Sequence, residues 1–356
     1  MQKHSNLSQI SSAHKAPVES LLFERSVLAL VIVFVVSLVS MAWFNPLETA
    51  TASPRSLVSK AEPLTLREGL LPGPVSSELL NPEKKQEITD LEIYESSSAK
   101  KLHNTFGRIG YQLDRVLSGN QKVPRVFLTS LPNDLSMVTQ NKLRKDIFFQ
   151  ALLPLILQVN EEILVERRRL WKLHFQTGLN EKISAGDRLW LRVMAERYKV
   201  KQGDIKALFN RVDIVPTSLA LAQAAEESGW GTSRFAREGN AMFGQWARPN
   251  SKGLVPLRRD KGKNHKVQTF DTLIDSVRAY TLNLNTHRAY EGFRSARHMI
   301  RRSGGDINGW YLAGKLLKYS ERGEDYVIAL RNLIDHNGLA PLDEARLDSA
   351  SVSSAI

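Results

Sequence analysis

The chain of 356 residues contains no cysteine. Disulfides, thiolate zinc sites and a cysteine nucleophile are therefore excluded. No histidine pair has zinc-protease spacing, no glycine loop is built to cradle phosphate, and no Ser-His-Asp arrangement stands out. Neither a metal nor another cofactor is expected. No internal repeat is evident. Acidic residues are in deficit, with 37 Asp and Glu against 49 Lys and Arg, a net charge of +12. Such an excess suits nucleic acid, anionic lipid or a carboxylate-bearing cell wall, and does not choose among them. The basic run from Arg258 to Lys266 carries neither stacking aromatics nor a recognition motif, so nucleic acid is not expected as a partner.

What is present divides the chain. Hydrophobic residues make up 42% of it, enough for an ordinary globular core. Ser26–Phe44 is an uncharged apolar run at the lower edge of a spanning length. Lys3, Lys15 and Arg25 precede it, which predicts a cytoplasmic N-terminus over residues 1–25 and translocation of everything downstream. Ser40-Met41-Ala42 and Ala50-Thr51-Ala52 offer small residues to a signal peptidase, so the run at 26–44 reads as a signal-anchor or a cleaved signal peptide. Residues 45–100 are rich in Pro, Ser and Glu and read as a flexible linker.

Residues 101–180 read as a helical N-terminal region. Asn133 or Asp134 is placed to cap the helix that follows, and Phe149, Leu152, Leu153, Ile156, Asn160, Ile163, Leu164, Arg167, Leu170 and Trp171 form one stripe near period 3.6. Pro154 interrupts that stripe and predicts a kink. Asn160 and Arg167 lie on its apolar side and are expected to be buried polar groups that fix how the helix docks. A compact unit over 181–340 opens with a helix near Gly186–Tyr198, with Asp187 as its expected cap. Turn residues between short extended runs over Gly253–Phe270 predict a β-hairpin, and helices follow it. Residues 341–356 read as a disordered tail.

The stretch Pro216–Trp246 organises this unit. Pro216 suits a first helical turn, where its missing N–H is no loss. Leu219, Ala222, Gln223, Glu226 and Glu227 then recur at helical spacing, and Gly229 and Gly231 stop the helix. A carboxylate is thus held in the last turn, where the negative end of the helix dipole opposes ionisation. A carboxyl that resists ionisation can donate a proton near neutral pH.

Ala225-Glu226-Glu227-Ser228-Gly229-Trp230-Gly231, with Asn240–Trp246 close behind, resembles the glucosaminidase family of peptidoglycan hydrolases. Within it, Bax-type proteins are the closer resemblance, through Gly253–Pro256, Asn283–His287, Leu316–Gly323 and the upstream Phe148–Leu170. The resemblance spans residues 120–340. It implies an α+β fold: a mostly helical, lysozyme-like domain with a small β-hairpin lobe, preceded by the helical segment and the N-terminal transmembrane helix. It also implies cleavage of a β-1,4 bond in peptidoglycan glycan strands; together with the apolar run at 26–44, the expectation is an enzyme tethered at the inner membrane with its catalytic part in the periplasm, or released into the periplasm if the run is cleaved. A monomer is expected.

Breaking a glycosidic bond requires a proton for the departing oxygen and a group that stabilises or captures the charge left on the ring. The family's acid directly precedes Ser-Gly-Trp, which assigns Glu227. A carboxylate of the β-lobe is the usual second group; Asp260 is the one that Gly253–Phe270 offers, with Asp271 just beyond. If neither reaches the cleft, the substrate's own N-acetyl group is the alternative. A lytic transglycosylase, which needs no second carboxylate, and a non-catalytic wall-binding protein also remain open. Tyr280 matches a tyrosine that lines the family's cleft. Trp230, Phe243 and Trp246 suit stacking on sugar faces, Asn240 suits orienting the loop or holding an acetamido group, and Tyr290 supports the cleft wall.

Overall fold

A computed structural model describes residues 93–94, 98–247, 251–257 and 266–349. The apolar run at 26–44, most of the expected linker, Asp260 with the run Arg258–His265, and the final residues lie outside these. The described part is a mostly helical α+β structure. It comprises β1 (Ile93–Tyr94), α1 (Ala99–Arg108), α2 (Leu113–Leu117), β2 (Phe127–Leu128), α3 (Asn141–Gly178), α4 (Ala185–Arg197), α5 (Ile205–Arg211) and α6 (Thr217–Ser228). Then come α7 (Arg234–Gly239), β3 (Gly253–Leu254), β4 (Val267–Gln268), α8 (Leu273–Thr286), α9 (Glu291–Arg302), α10 (Gly309–Ala313) and α11 (Glu324–His336). β1 pairs with β2 in parallel, Ile93 opposite Phe127. β3 and β4 are antiparallel, Gly253 opposite Gln268, which is the pairing expected of a hairpin at 253–270.

One hydrophobic core runs from Ala99 to Leu347, and α6 lies inside it. Every residue from Thr217 to Ala225 is buried, and so is Ser228. A helix apolar on all sides has no face to give to water and must be enclosed. Ala220, Ala222, Ala224 and Ala225 keep it thin, so α3, α10, α11 and the turn at Ala340–Asp343 all pack against it. Gln223 is the long polar side chain in this enclosure, at 0% exposure.

α3 is longer and more enclosed than a single stripe implies. Its 38 residues run on through Pro154, and every residue from Ile147 to Asn160 is buried. The helix passes between two layers here: α1, α2 and β2 contact it, and so do α6 and α8. It is long and apolar enough to cross a membrane, yet 83% of its most apolar window is buried within the fold, where it serves as a core helix. Beyond residue 160 the pattern turns amphipathic, with Ile163, Leu170 and Leu173 inside and Trp171 at the surface, stacked on Phe175.

The two polar residues on the stripe dock α3 onto the strand of chain that feeds α6. Asn160 donates to the carbonyl of Val215 at 2.9 Å and accepts from its N–H. Arg167 donates to the carbonyls of Phe209 and Val212, both at 2.7 Å. In the same segment, buried Asp213 meets Arg301 at 3.1 Å, Arg167 at 3.6 Å and Arg297 at 3.9 Å. Arg297 also donates to the carbonyl of Ile214 at 2.7 Å and to Asn285 at 2.8 Å.

Three expected details differ. Asp134 makes no side-chain cap bond to the turn that follows it; it accepts instead from the N–H of Ala99 at 2.8 Å, at the start of α1, whose N-cap is Ser98. Ser184 caps α4, and Asp187 sits in its first turn as the acceptor of the Ser184 hydroxyl. Residues 341–348 are ordered in the fold and are not part of a tail. Asp343 accepts from the N–H and hydroxyl of Ser218 and from the N–H of Gly309, and Asp348 pairs with Val123.

Burial pushes the Asp213 carboxyl up, but Arg297, Arg167 and Arg301 outweigh it and hold the group below the ordinary carboxylate range. Asp213→Asn leaves three guanidinium groups without their counter-charge and is expected to lose about 3–5 kcal/mol of stability at neutral pH, measured by urea unfolding. Because the folded value is depressed, Asp213 contributes above the unfolded carboxylate range and stops contributing as pH falls through the folded value. The gap between the proteins therefore narrows only in strong acid.

Candidate active site

At its C-terminus α6 stops on Gly229, whose φ of 56° places it in the left-handed region that caps helices. The Ser228 hydroxyl, itself buried, accepts from the N–H of Gly231 at 2.8 Å and sets the turn. The two glutamates just before it part company, as neighbours on a helix must. Glu226 pairs with Arg322 at the surface. Glu227 turns inward and is half-buried, and the Tyr326 hydroxyl donates to its Oε1 at 2.7 Å.

Behind this contact lies a chain of buried hydrogen bonds. The Gln223 amide donates to the Tyr326 oxygen at 3.0 Å, and the Tyr280 hydroxyl donates to the Gln223 carbonyl oxygen at 2.7 Å. Tyr319 stacks on Tyr326 with ring centres 5.4 Å apart, and Phe243 stacks on Tyr280 at 3.8 Å. Gly244 follows with a φ of +60°, and a Cβ there would stand 3.5 Å from Glu227 Oε2. The second carboxyl oxygen thus lies on the side of a residue that has no side chain.

Burial pushes the Glu227 carboxyl above its ordinary range. The Tyr326 hydrogen bond opposes this, the Glu226 charge adds to it, and Arg322 opposes it. The phenols of Tyr280, Tyr290, Tyr319 and Tyr326 are all pushed up, by burial first and in part by Glu227. They stay protonated, and the hydroxyls of Tyr280, Tyr319 and Tyr326 donate hydrogen bonds.

The other residues singled out by sequence fall in varied places. Tyr280 is fully buried and reaches Glu227 only through Gln223 and Tyr326. Trp230 leans on α3, edge-on to Phe148 and Phe149 at 5.8 and 5.3 Å, with the Lys145 ammonium over its ring. Phe243 is buried. Trp246 is 67% exposed, beside Val267 of β4. Asn240 donates to the carbonyls of Phe270 and Asp271, tying the loop after α7 to the start of α8. Tyr290 is buried within the influence of the Glu227 charge. Asp271 is 88% exposed and paired with Lys252. His287 caps the turn before α9 by accepting from Ala289.

The residue that sequence reasoning missed is Tyr326. It sits in the first turn of α11, just past the segment Leu316–Gly323, and nothing local marks it as the partner of a glutamate 99 positions earlier. A hollow of about 1500 Å³ lies at the other end of α6, lined by Arg167, Trp171, Phe209, Pro216 and Arg301 among others. It contains neither Glu227 nor any of its partners. The proton-donating chemistry, not the volume, locates the candidate site.

Tyr326→Phe removes a donor that favours the charged carboxylate. The Glu227 pKa is expected to rise further in this variant, measured by NMR titration of side-chain-labelled glutamate; an unchanged or lower value would contradict the hydrogen bond.

Comparison with known proteins places this part of the chain in a family. The glucosaminidase family model, described as mannosyl-glycoprotein endo-beta-N-acetylglucosaminidase, matches residues 203–339, from the approach to α5 to just past α11. Protein bax of Escherichia coli (strain K12) is 36% identical over 204 residues, which are 56% of this chain and 71% of that protein. No solved structure matches. With its glutamate at the end of an enclosed helix inside the matched region, the chain belongs to the Bax-type glucosaminidase-domain proteins.

Proposed function

We propose that the protein is a peptidoglycan hydrolase that cleaves the β-1,4 bond of the glycan strand on the reducing side of N-acetylglucosamine. The observation that carries this reading is Glu227: half-buried, raised in pKa by that burial, and oriented by Tyr326. A glucosaminidase-family domain surrounds it. In its neutral form Glu227 protonates the departing sugar oxygen as the C–O bond breaks. The carboxylate it becomes is received by the Tyr326 hydroxyl, through a hydrogen bond that strengthens when its acceptor is charged. Asp260, or the N-acetyl group of the substrate, supplies the second function. The run at 26–44 would hold the enzyme at the inner membrane with this domain in the periplasm, and the net charge of +12 suits a wall rich in carboxylates.

A second reading, a lytic transglycosylase, is favoured by the state of two described carboxylates, Glu226 and Asp271. Glu226 is occupied by Arg322, and Asp271 is exposed and paired with Lys252. Such an enzyme uses the same acid and closes an anhydro ring where the hydrolase adds water.

One experiment tests both. Purified peptidoglycan is digested with wild type and Glu227→Gln, and the fragments are weighed by mass spectrometry. Wild type is expected to release fragments with reducing N-acetylglucosamine ends, and Glu227→Gln to be slower by roughly 10²–10⁴-fold, the usual contribution of a positioned acid. Ends lighter by one water assign the transglycosylase. A variant as active as wild type removes Glu227 from the mechanism.

A further inference from the structure

The buried hydrogen bonds behind Glu227 have a direction, and the direction bears on the chemistry. Tyr280 is fully buried beneath the ring of Phe243, and among the described residues its hydroxyl bonds to Gln223. A buried hydroxyl proton needs an acceptor. The oxygen end of the Gln223 amide must therefore face Tyr280, because the NH₂ end would leave the phenol proton with nowhere to go. The NH₂ end then faces Tyr326, where it donates at 3.0 Å. The Tyr326 oxygen is thus already an acceptor, and its one proton goes to Glu227 Oε1 at 2.7 Å. An oxygen that accepts this proton is poorly placed to carry one of its own.

We infer that Gln223 is a positioning residue that polarises the line Tyr280–Gln223–Tyr326–Glu227 in one direction, so that neutral Glu227 carries its proton on Oε2. This rests on the proposed role of Glu227 as the acid. Oε2 is the oxygen on the side of Gly244, where an added Cβ would stand in van der Waals contact with it at 3.5 Å. The proton is held at the oxygen flanked by a residue without a side chain, and the other oxygen is reserved for the fixed donor. When Oε2 releases its proton to the glycosidic oxygen, the C–O electron pair goes to that oxygen. The remaining negative charge spreads to Oε1, where the Tyr326 proton already waits. No rotation of the carboxyl group is needed. With the amide gone, the Tyr326 hydroxyl can turn and accept from Glu227, and part of the population then carries its proton inward, where no substrate reaches it.

The test needs a variant that breaks the direction without leaving a buried orphan. Gln223→Leu alone strands the Tyr280 hydroxyl; Gln223→Leu with Tyr280→Phe replaces both partners by apolar groups, which folded proteins tolerate far better. Two measurements on the full-length chain suffice. The first is the C=O stretch of neutral Glu227, isolated as the infrared difference between each protein and the same protein carrying Glu227→Gln. The second is kcat and KM on purified glycan strands. In wild type the carbonyl is Oε1 and accepts a hydrogen bond. The double variant is expected to shift part of its band to higher wavenumber, as inward-facing protons leave a carbonyl without the phenol donor. Its kcat is expected to fall about tenfold with KM unchanged, about the worth of one net hydrogen bond. A band and a kcat both at wild-type values in a folded double variant overturn the inference and leave the role of Glu227 untouched. Undiminished activity in Glu227→Gln itself overturns the catalytic assignment whatever the infrared result.

Discussion

A helix with no face toward water is the constraint from which the site follows. α6 must be wrapped on all sides, and the wrapping brings α3, α10, α11 and the turn at 340–343 to it. Only at its last turn does the enclosure open, and there Glu227 stands half in and half out of the interior. A carboxyl at this boundary resists ionisation because burial removes the water that would solvate its charge. It does not sink into a fully inert neutral state, because Tyr326 offers the charged form a hydrogen bond. The Glu227 carboxyl is tuned by the same packing that holds the domain together.

That packing does not respect the limits of the family match. Residues 203–339 contain Glu227 and its partners, yet α3 lies outside this range and supplies much of the enclosure. Trp230, one turn beyond the acid, rests on Phe148 and Phe149 of α3. Arg278 of α8 reaches Glu162 at 2.7 Å, and Asn160 holds Val215 at the entrance to α6. The N-terminal layer therefore supports the turn that places the acid. Removing α3 would expose one side of α6.

Local features were readable in the sequence where the chemistry is local. The place of Glu227 in the last turn, the glycine turn and the end of α6 follow from the order Glu-Glu-Ser-Gly-Trp-Gly, because a helix end and its cap involve neighbours along the chain. The docking roles of Asn160 and Arg167 were visible as polar residues on an apolar stripe. What sequence left hidden is long-range. Tyr280 was assigned to the cleft on family grounds, and its place behind the site depends on Gln223, 57 positions away. Trp230 reads as a sugar platform until α3 is laid against it. The all-round burial of α3 escapes a periodicity argument, since a stripe reports one neighbour and this helix has two layers of them. Glu227 and Tyr326 come together only when α11 packs on α6, a contact that no spacing rule encodes.

The choice of partner for the acid follows from the balance of charges at the rim. Glu226 and Arg322 flank the site and act on Glu227 in opposite senses, so each offsets part of the other's effect. A cation aimed directly at Glu227 would hold it ionised and spoil it as a donor. A second carboxylate in contact would hold it protonated and make the proton hard to release. A tyrosine avoids both, since its hydroxyl is neutral and burial keeps it protonated. It favours the carboxylate modestly, and most strongly once the charge has formed. In the proposed proton transfer this interaction would help least before the transfer and most after it, which is the condition for lowering a barrier rather than deepening a resting state.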